Sequence, residues 1–119
     1  MAEGRVQLMP RILAVRHSSD GAAVDLAIPQ DLVWFSGHFP GVPILPGVVQ
    51  VAWAIAMARA HLSVDLVGSP VMRMKFQTVI QPDDRVTLTL RHVPAKRAID
   101  FEYRKGERPC SSGRVGVKG

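Results

Sequence analysis

A chain of 119 residues fits one domain, 1–119, with a small core of its own. Hydrophobic residues make up 47% and charged residues 21%, which excludes a globally disordered chain. The net charge is +5, but the basic residues are scattered and aromatics are only 6%, so no nucleic-acid partner is expected. Cys110 is the only cysteine, and no internal disulfide can form. The first residues, "MAEGRVQLMPRI", carry an early acid and no apolar run of signal-peptide length. The longest apolar run, 48–58, is broken by Gln50 and is too short to cross a bilayer. A cytoplasmic protein without membrane contact is the expectation.

In chain order, "RILAVRH" (11–17) and "AAVDLAI" (22–28) alternate as strands do. The linking "SSDG" is hairpin chemistry, with Gly21 expected at positive φ. Residues 46–61 then predict a helix with Pro46 at its first position, where a missing N–H costs nothing. Alanine dominates it, and apolar residues lie all around it, which predicts burial on most sides. Three more strands follow. "VMRMKFQ" (71–77) sets Met72, Met74 and Phe76 against Arg73, Lys75 and Gln77. "VTLTLRH" (86–92) and "IDFEYRK" (99–105) alternate in the same way, and 114–118 is a candidate sixth strand. The connections "QPDD", "VPAK" and "KGERP" are short and turn-rich, so the late strands should be antiparallel neighbours. The fold class expected is α+β, a curled antiparallel sheet wrapped around one long central helix. A single sheet of this size is too small to cover that helix, which predicts a dimer.

The stretch "GHFPGVPILPGVVQ" (37–50) carries the chemistry. Gly47 follows Pro46 at the helix start, where first-turn N–H groups have no internal partner and attract partial negative charge. Glycine there lets a ligand approach the backbone closely. His38 lies nine residues earlier, in a segment stiffened by Pro40, Pro43 and Pro46. An imidazole near a polarised carbonyl can take a proton from the adjacent carbon, and its ordinary pKa suits the task. The plain alternative is a Pro/Gly-rich loop whose histidine is merely solvated or bonded to backbone.

The same stretch resembles the signature of the 3-hydroxyacyl-acyl-carrier-protein dehydratases. Gly37, His38, Phe39, Pro40, Gly41, Pro43, Pro46 and Gly47 match its fixed positions. "IQPDDRVTLTL" is similar to the turn and strand that follow in that family, and "PGVVQVAWA" resembles the aryl-polyene-type branch. The resemblance implies a hot-dog fold and a homodimer with its site at the interface. It implies a 3-hydroxyacyl thioester substrate on the phosphopantetheine arm of an acyl carrier protein, or on coenzyme A. No metal or redox cofactor is implied. His38 would be the base and the Gly47 N–H would bind the thioester carbonyl. Phe39, Gly41, Pro46 and Gln50 would shape the substrate site.

One position departs from the pattern. The family carries Glu or Asp five residues after the helix-start glycine, to protonate the departing hydroxyl. Here that residue is Ala52. Positioned acid catalysis is worth about 10²–10⁴ in rate, so the loss matters. Three replacements are open: Asp31, a water held by Gln50, or a carboxylate from a homologous dehydratase in a heterodimer. In that last case this chain would be a half-catalytic or non-catalytic subunit. Thioester hydrolysis on the same fold is a further alternative, but it wants a carboxylate on the helix. Trp34 and Trp53 read as core or interface packing, and Gln50 as a satisfied interface amide. His17, His61 and His92 read as solvated ends of elements, and Cys110 as a free thiol. Arg73, Lys75 and Arg91 form a solvated strand face or a dock for an acidic carrier. No histidine and cysteine spacing suits a metal.

Overall fold

The computed structural model describes residues 8–32, 43–66 and 70–117. They form strands β1 (Arg11–His17) and β2 (Gly21–Ala27), helix α1 (Gly47–Leu62), and strands β3 (Val71–Phe76), β4 (Arg85–Val93), β5 (Ala98–Lys105) and β6 (Arg108–Gly116). The six strands make one antiparallel sheet in the order β1-β2-β4-β5-β6-β3. Helix α1 packs over β2 and β4. This is the α+β arrangement expected, a sheet with one long helix against it.

Every predicted strand exists, but their neighbours differ from the reading in one respect. Strand β3 does not pair with β4. It crosses to the far edge and pairs with β6. The "QPDD" stretch is therefore part of a crossover and not a hairpin. Its course is fixed by Leu45 N–H donating to Ile80 O at 2.8 Å and Asp83 N–H donating to Ile28 O at 2.8 Å. Only β4, β5 and β6 form a meander. A short turn-rich link favours neighbouring strands, but here two edges and a helix compete for the same segment.

Strand β6 begins six residues earlier than expected, at Arg108, and ends at Gly116. "RPCSSG" reads as a loop because serine, proline and glycine are poor strand formers. Packing overrides that preference. A Cβ on Gly113 would fall 2.4 Å from Met74 Sδ and 2.8 Å from the Phe101 ring, so only glycine fits beneath them. Gly21 is likewise needed for space and not for its turn geometry. It lies within β2, and a Cβ there would stand 1.9 Å from Leu90 O.

The alternation in β3 is broken at Arg73, which has φ 58° beside a register shift between Met72 and Lys75. Residues directly opposite each other share a sheet face. Met72 pairs with Arg114 and so faces outward, while Phe76 pairs with Ser111 on the inner face. The extra residue puts Met72 out of step with Met74 and Phe76, against the simple two-residue reading.

One inner-face row crosses the whole sheet: Val15, Val24, Leu88, Tyr103, Ser111 and Phe76. Val24, Leu88, Tyr103 and Ser111 are fully buried, with Phe76 at the open end. Against this face α1 buries Val49, Gln50, Trp53, Ala54, Met57 and Ala58. Trp53 belongs to the core of this chain, and its indole N–H donates to Leu8 O at 3.1 Å.

The helix is buried or half-buried on most sides, but one side is left uncovered. Val48, Ala52, Ala56 and Ala60, one per turn, form an exposed stripe, and Val48 is 76% exposed. Its apolar girdle therefore exceeds what this one sheet covers.

Candidate active site at the helix start

Helix α1 starts one residue later than expected. Pro46 is its N-cap, with φ −61° and ψ 146°, and Gly47 is the first helical residue. The first two helical hydrogen bonds run from Val49 N–H and Gln50 N–H to Pro46 O, at 3.1 and 3.2 Å. The N–H groups of Gly47 and Val48 precede that ladder. No side-chain cap binds the turn, and no acidic residue stands in it. The partial positive charge of the helix start is left available to a ligand.

These amides border a cavity of about 270 Å³. Ile44, Leu45, Pro46, Gly47 and Gln50 form one wall, and 76–79 the other. The second wall is anchored by a bulge in β6. Cys110 lies at the register shift between β5 and β6, and its carbonyl accepts hydrogen bonds from Gln77 N–H and Thr78 N–H at 2.8 and 3.1 Å. The Cys110 thiol is free and buried, and burial pushes its pKa up, which removes it from nucleophilic use.

Gln50 is the polar centre of the wall and is only 3% exposed. Its Nε2 donates to Leu45 O at 3.1 Å, and its Oε1 accepts from Ser111 Oγ at 2.6 Å. The Tyr103 hydroxyl donates to the main-chain carbonyl of Gln50 at 2.7 Å. Burial holds the Tyr103 hydroxyl far above its ordinary pKa, so it stays neutral. Gln50 is a satisfied amide, as the sequence reading has it, but its partners lie inside one chain and not across an interface. Ser111 and Tyr103 were not legible as part of the site. Their only signal is that their strands place them on the row that ends at Phe76.

His38, Phe39 and Gly41, with Gly37, Pro40 and Trp34, lie outside the described residues. Ala52 is exposed, on the uncovered stripe of α1. Asp31 is exposed in the turn after β2. His17 is exposed and His61 and His92 half-buried, and the His17 and His61 rings meet edge to face at 5.9 Å. Arg73, Lys75 and Arg91 are exposed on the outer face of the sheet or its edge. There the Asp100 carboxylate is gripped by Arg114 at 2.6 and 3.0 Å and approached by Arg91 at 3.8 Å.

Comparison with known proteins agrees with this geometry. The ApeI-like family model, described as ApeI dehydratase, matches residues 14–114. The 3-hydroxyacyl-acyl-carrier-protein dehydratase FabZ of Oenococcus oeni is 34% identical over 90 residues, covering 66% of this chain and 65% of that protein. FabZ of Desulfotalea psychrophila is 30% identical over 82 residues, covering 61% and 55%. The match thus spans a little over half to two thirds of these curated relatives' lengths. Among solved structures, the dehydratase heterocomplex ApeI:P from Xenorhabdus doucetiae superposes with a TM-score of 0.82 at 27% identity, covering 93% of this chain and 99% of that one. An uncharacterized protein from Erwinia carotovora subsp. atroseptica superposes at 0.73 with 31% identity, covering 92% and 96%. The fold is the hot-dog fold. No described helix is long and apolar enough to cross a membrane.

Proposed function

The chain belongs to the ApeI-like dehydratase family, and from that premise we propose that it dehydrates a 3-hydroxyacyl thioester carried on an acyl carrier protein or on coenzyme A. The observation that carries the reading is the uncapped start of α1, with Gly47 N–H at the wall of an open, mostly apolar cavity. The thioester carbonyl accepts a hydrogen bond from that amide, and the helix dipole favours the negative charge that grows on the oxygen. His38 takes the proton from C2. The electrons of the C2–H bond form the C2–C3 double bond, the C3–O bond breaks, and the hydroxyl leaves as water once it gains a proton. Phe39, Gly41 and Pro46 shape the acyl site. These steps eliminate water with no net oxidation or reduction and call for no metal or redox cofactor.

The proton for the leaving hydroxyl is the open requirement, because Ala52 cannot supply it. Ala52 lies on the uncovered stripe of α1 with Val48 and Ala56, where a second chain would sit. The acid therefore comes from a homologous dehydratase subunit packed on that stripe. A heterocomplex of this kind is named for the Xenorhabdus doucetiae protein. A homodimer using Asp31 is the second reading, and it is favoured only by the exposure of that carboxylate. Thioester hydrolysis is the least supported, since α1, "GVVQVAWAIAMARAHL", carries no carboxylate.

The test is an assay of purified protein on a 3-hydroxyacyl thioester, alone and with its homologous partner, following the enoyl product. Product that falls at least about 100-fold in His38→Ala supports the dehydratase reading. Turnover by an Ala52→Glu protein without the partner supports the missing-acid account. No enoyl product above the His38→Ala level under either condition rejects the proposal, and release of free thiol instead points to hydrolysis.

A further inference from the structure

We propose that Gln50 is a positioning residue that aims the Gly47 N–H into the cavity, a role that rests on the dehydratase reading for its catalytic meaning. Helix starts are normally pinned by a Ser, Thr, Asp or Asn side chain that accepts a hydrogen bond from a first-turn amide. Here no side chain caps the turn. Gln50 fixes the turn from its carbonyl side instead. Its Nε2 donates back to Leu45 O, two residues before Gly47. Its Oε1 is held by Ser111 Oγ, and its main-chain carbonyl by the Tyr103 hydroxyl.

The Gly47 N–H lies in the peptide plane that joins Pro46 to Gly47. Proline fixes φ on its own side of that plane, and the carbonyl of the same plane, Pro46 O, is held by Val49 N–H and Gln50 N–H. The Gln50–Leu45 hydrogen bond closes the loop from Leu45 to Gln50 and braces that plane from its other side, with ψ of Pro46 at 146°. Leu45 is tied in turn to Ile80 through its own N–H, at 2.8 Å. The direction of the amide is therefore braced by two strands, β6 acting through the Gln50 carboxamide and β5 through the Gln50 main-chain carbonyl. None of Gln50, Ser111 and Tyr103 ionises in the working range, so the aim does not change with pH.

Gln50→Glu turns this into a measurable titration. An ionised carboxylate still accepts from Ser111, but its other oxygen then faces Leu45 O with no proton between them. A neutral carboxylic acid restores the donor. The pH profile of the variant is read as its ratio to wild type. The expected ratio of kcat is about 0.01 at alkaline pH, the cost of a misaimed group, and it climbs toward unity as pH falls. KM changes less than about threefold. Gln50→Met lacks the donor at every pH and gives a low, flat ratio.

A pH-independent ratio for Gln50→Glu overturns the proposal, as does wild-type kcat in folded Gln50→Met protein. If the Gln50 variants do not fold, Ser111→Ala removes a single link and lowers kcat about tenfold at little change in KM, while unchanged kcat overturns the idea. Amide exchange needs no turnover and separates this claim from the dehydratase reading. The Val49 N–H, bonded to Pro46 O, exchanges at least tenfold faster in Gln50→Met than in wild type, while Leu88 N–H does not change. Equal exchange at Val49 overturns the positioning role. Wild type that forms no enoyl product, with the exchange effect present, overturns only the reaction.

Discussion

The Phe76 ring lies against the α-carbon of Gly47: a methyl group built there would stand 2.6 Å from Cζ and 2.8 Å from Cε1. The first turn of the helix and the edge strand thus meet through an aromatic face and a bare backbone. The contact closes one side of the cavity, and it needs glycine for space.

Gly47→Ala follows from this contact. Inside a helix alanine is ordinarily better than glycine by about 1 kcal/mol. Here the added methyl displaces Phe76, which is 58% exposed and can swing aside. Stability is expected to stay within about 1 kcal/mol of wild type, because the two effects oppose each other. The cavity wall moves, and turnover falls at least tenfold. Adding Phe76→Ala relieves the overlap, so denaturant melts and kcat of the double variant should not equal the sum of the singles.

Tyr103→Phe removes one hydroxyl from a fully buried position and keeps the ring. The lost hydrogen bond to Gln50 O is expected to cost about 0.5–1.5 kcal/mol in urea unfolding. The loss should be the same at pH 6 and pH 8.5, roughly speaking, since burial keeps this phenol neutral throughout.

Ala56→Arg tests the uncovered stripe of α1. The position is exposed in the single chain, so its own folding should change by no more than about 0.5 kcal/mol. A charge in the middle of an apolar seam opposes association of a second chain. Sedimentation should report a lighter particle than wild type. An unchanged assembly would place the partner elsewhere.

Acid stability turns on Asp100. The hydrogen bonds from Arg114 hold its carboxyl below the ordinary range, with added attraction from Arg91 and Arg73. Its folded pKa lies below its unfolded one. The stabilisation is complete above the unfolded value, near about 4, and is lost as pH falls through the folded value. The melting temperature of wild type should drop over that window more steeply than that of Asp100→Asn. Parallel curves would mean that the pair contributes nothing measurable.

Much of this was legible from residue order, and the misses have identifiable causes. Strands β2, β4 and β5 announce themselves because alternation and burial agree in them, while β1 alternates in sequence but lies exposed along nearly all its length. Helix α1 does so because alanine and leading proline act locally. Strand β6 was read short, since Ser111 and Gly113 answer to the space beneath Gln50, Met74 and Phe101 and not to strand preference. The partner of β3 was missed because a register shift at Arg73 and a distant edge leave no mark on adjacent residues. Gly47 and Gln50 stood out through the loop motif. Ser111 and Tyr103 did not, because their role comes from cross-strand pairing across a long stretch of chain.

The chain is made from its amino end, yet β3 has no hydrogen-bonding neighbour in the sheet other than β6, among the last residues described. Helix α1 and strands β1 and β2 can meet early in synthesis, but the wall from Phe76 to Val79 has nothing to rest on until Ser111 and Cys110 arrive. A nascent chain halted before residue 108 would hold its helix start open to solvent, with an unsatisfied strand beside it. Late closure of this kind makes the unfinished protein a natural client for a chaperone that shields apolar strands.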